Sequence, residues 1–323
     1  MTAVLDTRPL VVDLTDTHAE HPPAPAPAGP SLRPSTPRAL LTAMRPRQWV
    51  KNVLVVAAPA AAGALLSGST IVRVTVAVAM MCLAASATYL LNDLGDIERD
   101  GLHPTKRHRP IAAGLISPQL ARTTAATAAT TAVATGIALG SAAALAVLAY
   151  LALTMAYSRR LKHLPFIELG VVAAGFVLRV IAGAAATTTP LSIPFLVIVG
   201  GGSLLLATGK RYAELRELGD RAAAHRPVLA GYTMPILERI LLGSAATAVL
   251  GYLGWALSTR LGGPGMVWLL ASIVPFLVAA RRGVTKVFAG AGADPTELIL
   301  GDRALLAAGA ATGILALAGL YLS

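Results

Sequence analysis

The sequence predicts an all-α integral membrane protein with about nine transmembrane helices. Three observations carry that prediction. Hydrophobic residues fill 55% of the 323 positions and charged residues only 13%, so there is more apolar surface than a water-soluble core could hide. The apolar residues gather in runs near the length of about 20 residues that a bilayer crossing needs. No run alternates with the period of two that marks a half-buried strand. Aromatic residues are few, at 5%, while Ala, Val, Leu and Gly dominate, so small residues are expected to let the helices approach closely.

Residues 1–40 read as a disordered cytoplasmic tail, rich in Pro, Ala, Thr and Asp and without apolar periodicity. No basic segment precedes an apolar run there, so the tail is not expected to be a secretory signal. Residues 41–323 read as one membrane-embedded catalytic domain. Its spans are expected at Val53–Gly68, Val72–Leu91, Ala121–Leu139, Ala142–Tyr157, Phe166–Ala186, Ile193–Thr208, Ile236–Leu257, Met266–Ala280 and Ala304–Leu322. When Lys and Arg are grouped by alternate connections, nearly all fall on one side, and only Arg73 and Arg260 on the other. The positive-inside rule then places the chain in the plasma membrane with its N-terminus in the cytoplasm and its C-terminus outside. Arg179 falls in the middle of the fifth span, where a charge is costly and is expected to face a polar cavity.

Several classes are excluded. The net charge of +11 follows membrane side and forms no single patch interleaved with aromatics, so nucleic acid is not an expected partner. Cys82 stands alone in an apolar run, which leaves no disulfide or Cys-based zinc site, and the histidines show no metal-type spacing.

The strongest chemical signal is acidic. Of the 16 carboxylates, four crowd between Asp93 and Asp100 at the end of the second expected span. On a helix, Asn92, Asp93, Asp96 and Asp100 fall within one arc of about 100°, and Glu98 points elsewhere. Like charges at these spacings repel unless a cation relieves them. An all-oxygen donor set suits a hard cation, and magnesium typically joins one or two carboxylates to substrate phosphates. The expected ligand is Mg²⁺ with a diphosphate, held by Asp93, Asp96, Asp100 and Asn92. Basic stretches surround the same mouth, and Lys51, Lys106, Arg109 and Lys162 are the expected anion-binding side chains because Pro, Gly, Asn or Tyr neighbours fix their geometry.

The pattern Asn-Asp-x-x-Asp-x-x-x-Asp ending at Asp100, followed by His-Pro-x-Lys-x-x-Arg-Pro ending at Pro110, resembles the UbiA superfamily of intramembrane prenyltransferases. The resemblance implies nine helices around a central cavity open to the membrane, with two Asp-rich motifs for magnesium and a diphosphate substrate. The chain departs from that pattern after the sixth span, where Lys210, Arg211 and Arg216 stand in place of acids. Cations there suggest a substrate with an extra phosphate, bound directly by protein.

With Arg-Pro-x-Gln-Trp-x-Lys-Asn at Arg45 to Asn52, Tyr-Ser-x-x-Leu-Lys at Tyr157 to Lys162, and Gly-Lys-Arg at Gly209 to Arg211, the chain is similar to the phosphoribosyltransferase branch of that superfamily. This likeness implies transfer of 5-phosphoribosyl from 5-phosphoribosyl 1-pyrophosphate to a polyprenyl (decaprenyl) phosphate, with release of pyrophosphate, in the synthesis of a cell-wall arabinan precursor. Lys162, Lys210 and Arg211 are then expected at the 5-phosphate, and Asn52, Tyr157, Arg159 and Arg179 elsewhere on the substrates. Two rival readings are a UbiA-type enzyme with an aromatic acceptor, which should show a second Asp motif, and a lipid or solute transporter, which does not explain the clustered oxygens. A homo-oligomer is compatible with the composition, but no face for it is readable.

Overall fold

A computed structural model describes residues 36–259, 263–291, 298 and 301–322, and among these every regular element is helical. Helix α1 (Thr36–Met44) stops at Arg45, which adopts a left-handed conformation (φ 57°) immediately before Pro46. The tail boundary expected at residue 40 therefore falls inside α1, and the rest of the expected tail, to residue 35, lies outside the described residues. A 3₁₀ segment, Pro46–Val53, leads into α2 (Leu54–Ala61). Helix α3 (Gly68–Gly95) carries the first half of the acidic motif and α4 (Ile97–Leu102) the second, with the helix interrupted at Asp96. Then follow α5 (Pro118–Leu139), α6 (Ser141–Arg159), α7 (Ile167–Thr187) and α8 (Ile193–Leu218). The chain continues through a short α9 (Ala222–His225), α10 (Met234–Ser258), α11 (Gly263–Ala271), α12 (Ile273–Phe288) and α13 (Arg303–Tyr321).

Seven helical stretches among the described residues are long and apolar enough to cross a membrane: α3, α6, α7, α8 with its continuation to Ala224, α10, α11 with α12, and α13. Two of the expected spans are not among the seven. In the first, α2 has only 8 residues, and Gly63 turns left-handed (φ 70°) before a further 3₁₀ turn at Ala64–Leu66. The third corresponds to α5, whose 22 residues are long enough for a hydrocarbon core of about 30 Å. Its threonines, among them Thr123, Thr124, Thr127, Thr130 and Thr131, dilute the hydropathy instead.

Small residues bring the helices together. Helix α5 buries Ala121, Ala125, Ala128, Ala132 and Gly136 at spacings of three and four, the face that packs on α3 and α6. Gly183 lets α7 lie so close to α2 that a Cβ there would collide with the Val55 carbonyl. At one end of the bundle Arg73, near the start of α3, donates to the carbonyls of Ala186 and Leu139, both at 2.6 Å. These belong to the last turns of α7 and α5, whose carbonyls have no partner within their own helices. The end of α3, the start of α5, the end of α6 and the start of α7 therefore share the opposite end, where the acidic motif lies.

Candidate functional site

Asp93 and Asp100 are buried, with 2% and 3% of their surface exposed, as only a paired or metal-bound carboxylate can be. One guanidinium bridges them: Arg109 Nη1 donates to Asp93 Oδ1 at 3.1 Å and to Asp100 Oδ2 at 2.7 Å. Arg45 Nη2 reaches the same Asp93 oxygen at 2.6 Å, and its guanidinium lies over the Tyr89 ring, 4.9 Å from the centroid. The left-handed backbone at Arg45 is costly for a non-glycine residue, a form of strain that clusters at functional sites. Asp96, in the break between α3 and α4, accepts from Asn92 Nδ2 at 3.3 Å and pairs with Arg99 at 2.7 Å. Lys162 Nζ stands 3.7 Å from Asp96 Oδ2, the oxygen that accepts from Asn92. Glu98 is exposed.

Beside this mouth opens a cavity of about 290 Å³, lined by Arg45, Lys51, Tyr89, Asn92, Tyr157 and Arg179 among others. Arg179 is buried, with 6% exposed. It donates from Nε to Asn52 Oδ1 at 2.8 Å, from Nη1 to the Gly175 carbonyl at 2.8 Å and from Nη2 to the Tyr150 hydroxyl at 3.0 Å. The rings of Tyr150 and Phe176 face its guanidinium, with centroids at 4.8 and 5.4 Å. Asn52 is fully buried and also donates to Cys82 Sγ at 3.1 Å, so this expected substrate ligand orients Arg179 from behind. Trp49 Nε1 bonds Ser86 Oγ at 3.1 Å and pins the same segment to α3. A second cavity of about 360 Å³, between Ala58, Pro190, Phe195, Trp255 and Thr259, is lined by no charged side chain among the described residues.

The remaining expected ligands divide. Tyr157 lines the polar cavity, whereas Lys106, Arg159 and Lys210 are exposed. Arg211, expected at the 5-phosphate, stands in a cluster of carboxylates. Its Nε donates to Glu168 Oε1 at 2.6 Å, and it also pairs with Glu214. Glu168 is fully buried and accepts as well from Arg226 at 3.0 Å and from the Tyr232 hydroxyl at 3.2 Å. A buried carboxylate demands such partners, and this one claims the arginine first. The Tyr232 hydroxyl is pushed up to about 12, chiefly by burial and further by the Glu168 charge beside it, so it stays a neutral donor.

Sequence reasoning missed Arg45, Tyr150, Phe176 and Glu168. Glu168 carried a readable signal, because a lone acid inside an apolar run needs a cationic partner.

The oxygen donors of the acidic motif suit a hard cation. Among the described residues, no three His, Cys, Asp or Glu side chains stand close enough to hold a metal by themselves. A divalent cation held there would have to complete its shell from substrate phosphate and water.

Residues 53–296 match the UbiA prenyltransferase family. The chain belongs to that family. Decaprenyl-phosphate phosphoribosyltransferase of Mycobacterium tuberculosis is 42% identical to this UbiA protein over 273 residues, covering 82% of this chain and 89% of the relative. The protein of the same name from Corynebacterium glutamicum is 39% identical over 272 residues, covering 82% of each. A UbiA homolog from Archaeoglobus fulgidus, solved with GPP and Mg²⁺, has the same fold at a TM-score of 0.64 and 18% identity, covering 87% of this chain and 98% of that one. This family member is thus a multi-pass, all-helical membrane protein of UbiA fold.

Proposed function

We propose that this protein transfers the 5-phosphoribosyl group of 5-phosphoribosyl 1-pyrophosphate to a polyprenyl phosphate and releases pyrophosphate. The observation that carries the proposal is the union of an Asp-rich mouth with a cavity lined by Arg45, Lys51 and Arg179. Such a site accepts two phosphorylated substrates at once. The length and identity of the match to decaprenyl-phosphate phosphoribosyltransferases support the same reading, and with it a role in supplying a cell-wall arabinan precursor.

The diphosphate of the sugar donor lies at Asp93, Asp96, Asp100 and Asn92, with Arg45 and Arg109 at its edge. The carboxylates and Asn92 would hold Mg²⁺, which would supply positive charge to the pyrophosphate group. The protein's own part is mainly electrostatic, because the anomeric carbon becomes oxocarbenium-like as the leaving group departs. A phosphate nucleophile is already ionised near neutral pH, so no general base is needed. Attack opposite the leaving group inverts the anomeric carbon from α to β. Lys162, beside Asp96, takes the 5-phosphate, while Arg211 keeps its structural partner. The acidic mouth faces the cytoplasm, with the N-terminus inside and the C-terminus outside, because the basic connections gather on the side of the acidic motif.

The test is transfer by purified protein from radiolabelled 5-phosphoribosyl 1-pyrophosphate to decaprenyl phosphate. A labelled lipid should form with Mg²⁺ and not with chelator. Transfer of a prenyl group to an aromatic acid instead would overturn the proposal.

A further inference from the structure

We infer that Arg179 receives the phosphate of the lipid acceptor, with Phe176 as the wall between its headgroup and its tail. The inference rests on the proposed transfer reaction and assigns one of its two substrates to a place in the cavity.

The first ground is charge. Arg45, Arg109 and Arg211 each pair with a carboxylate. Arg179 bonds only neutral acceptors, Asn52, Gly175 and Tyr150, and among the described residues no carboxylate pairs with it. Arg179 is the thirteenth residue of α7, about 18 Å along the axis from its start. A buried guanidinium at such depth is costly until an anion joins it.

The second ground is geometry. A guanidinium has five N–H donors, three of which the three neutral acceptors use. Those left over are one on each terminal nitrogen, donors still available to the oxygens of a phosphate.

The third ground is the neighbouring space. Phe176 lines the polar cavity and also an apolar cavity of about 400 Å³, bounded by Leu54, Ile198, Leu205, Phe276 and Leu305. A soluble sugar phosphate arrives at the mouth, where Asp96 and Lys162 stand. A polyprenyl chain has no place at that polar mouth and fills the apolar cavity instead. Its headgroup then emerges at Phe176, one helical turn from Arg179. The two substrates meet between Arg179 and the acidic motif, with the lipid phosphate on the side away from the pyrophosphate.

The experiment measures binding of decaprenyl phosphate, decaprenol and 5-phosphoribosyl 1-pyrophosphate to full-length wild type and Arg179→Gln in lipid nanodiscs. Wild type should prefer the lipid phosphate to the alcohol by about 10-fold or more, as expected for a charge-assisted contact. Arg179→Gln should bind phosphate and alcohol alike, yet change less than about threefold towards the sugar donor, and Arg179→Lys should recover part of the preference. Should Arg179→Gln not fold, Tyr150→Phe gives the same reading, because it frees the guanidinium from one anchor and should weaken the phosphate preference alone. An unchanged preference in these variants, or a loss confined to the sugar donor, overturns the inference while leaving the transfer reaction standing. Wild type that forms no labelled lipid overturns both.

Discussion

Arg109 ties Asp93 to Asp100, and the two arginines beside these acids hold the motif in shape before any substrate arrives. Asp93→Asn or Asp96→Asn should cut turnover by about 10–100-fold or more, the scale seen when a metal ligand or its support is lost. Glu98→Gln, at an exposed position, should stay within about twofold, and equal losses at all three positions would contradict the one-sided arrangement. The Glu168 cluster makes the opposite kind of prediction. Arg211→Ala leaves a buried carboxylate short of a partner, which costs about 3–5 kcal/mol. It should lower the thermal midpoint steeply, whereas the double change of Arg211→Met with Glu168→Gln should recover much of the loss. A stable Arg211→Ala enzyme with a raised KM for the sugar donor would instead return Arg211 to the substrate. The acidic motif was legible because its residues are close in sequence. Arg45 was not, since its pairing with Asp93 spans 48 positions that only the fold brings together. The partner of Arg211 was not legible either, because Glu168, 43 positions away, lies hidden in an apolar run.

At the scale of elements, hydropathy marked where the chain meets the membrane better than where helices end. The sixth expected span closes at Thr208, yet α8 runs on to Leu218 through Lys210, Arg211, Glu214 and Arg216. Those residues are good helix formers, so the helix continues after the apolar run stops. Helix α12 likewise carries Arg281, Arg282 and Lys286 past its apolar part. There Asp302, the N-cap of α13, accepts from Arg282 Nε at 2.6 Å and from the Leu305 amide at 2.9 Å, with Lys286 Nζ at 2.9 Å. The Arg282 guanidinium, followed by the Leu305 amide and Lys286, holds the Asp302 carboxyl well below the usual carboxylate range. A lowered folded value means that this stabilisation is complete above the unfolded value of about 4 and fades as pH falls from there through the folded value. In detergent, Asp302→Asn should therefore melt below wild type at pH 7, and the gap should narrow as the pH drops below about 4. A gap independent of pH would show that the clamp does not work through the ionised carboxylate.

For the whole molecule, composition was enough to identify a helical membrane protein, and local motifs were enough to suggest its chemistry. The number of crossings was harder to read, because α2 is interrupted by backbone turns and α5 hides its length behind threonines. The proposed orientation predicts that, in a Cys82→Ser background, a cysteine at exposed Thr105 reacts with an impermeant maleimide only from the cytoplasmic side. One at Thr188, at the far end of α7, should react only from outside, and reversed labelling would refute the assignment. The most direct test of the central claim follows two labels through the reaction with decaprenyl phosphate and Mg²⁺. Donor labelled in its 5-phosphate should yield a labelled lipid, and donor labelled in its terminal pyrophosphate phosphorus should yield labelled free pyrophosphate and an unlabelled lipid. Terminal label appearing in the lipid, or no labelled lipid from either donor, would contradict phosphoribosyl transfer at this site.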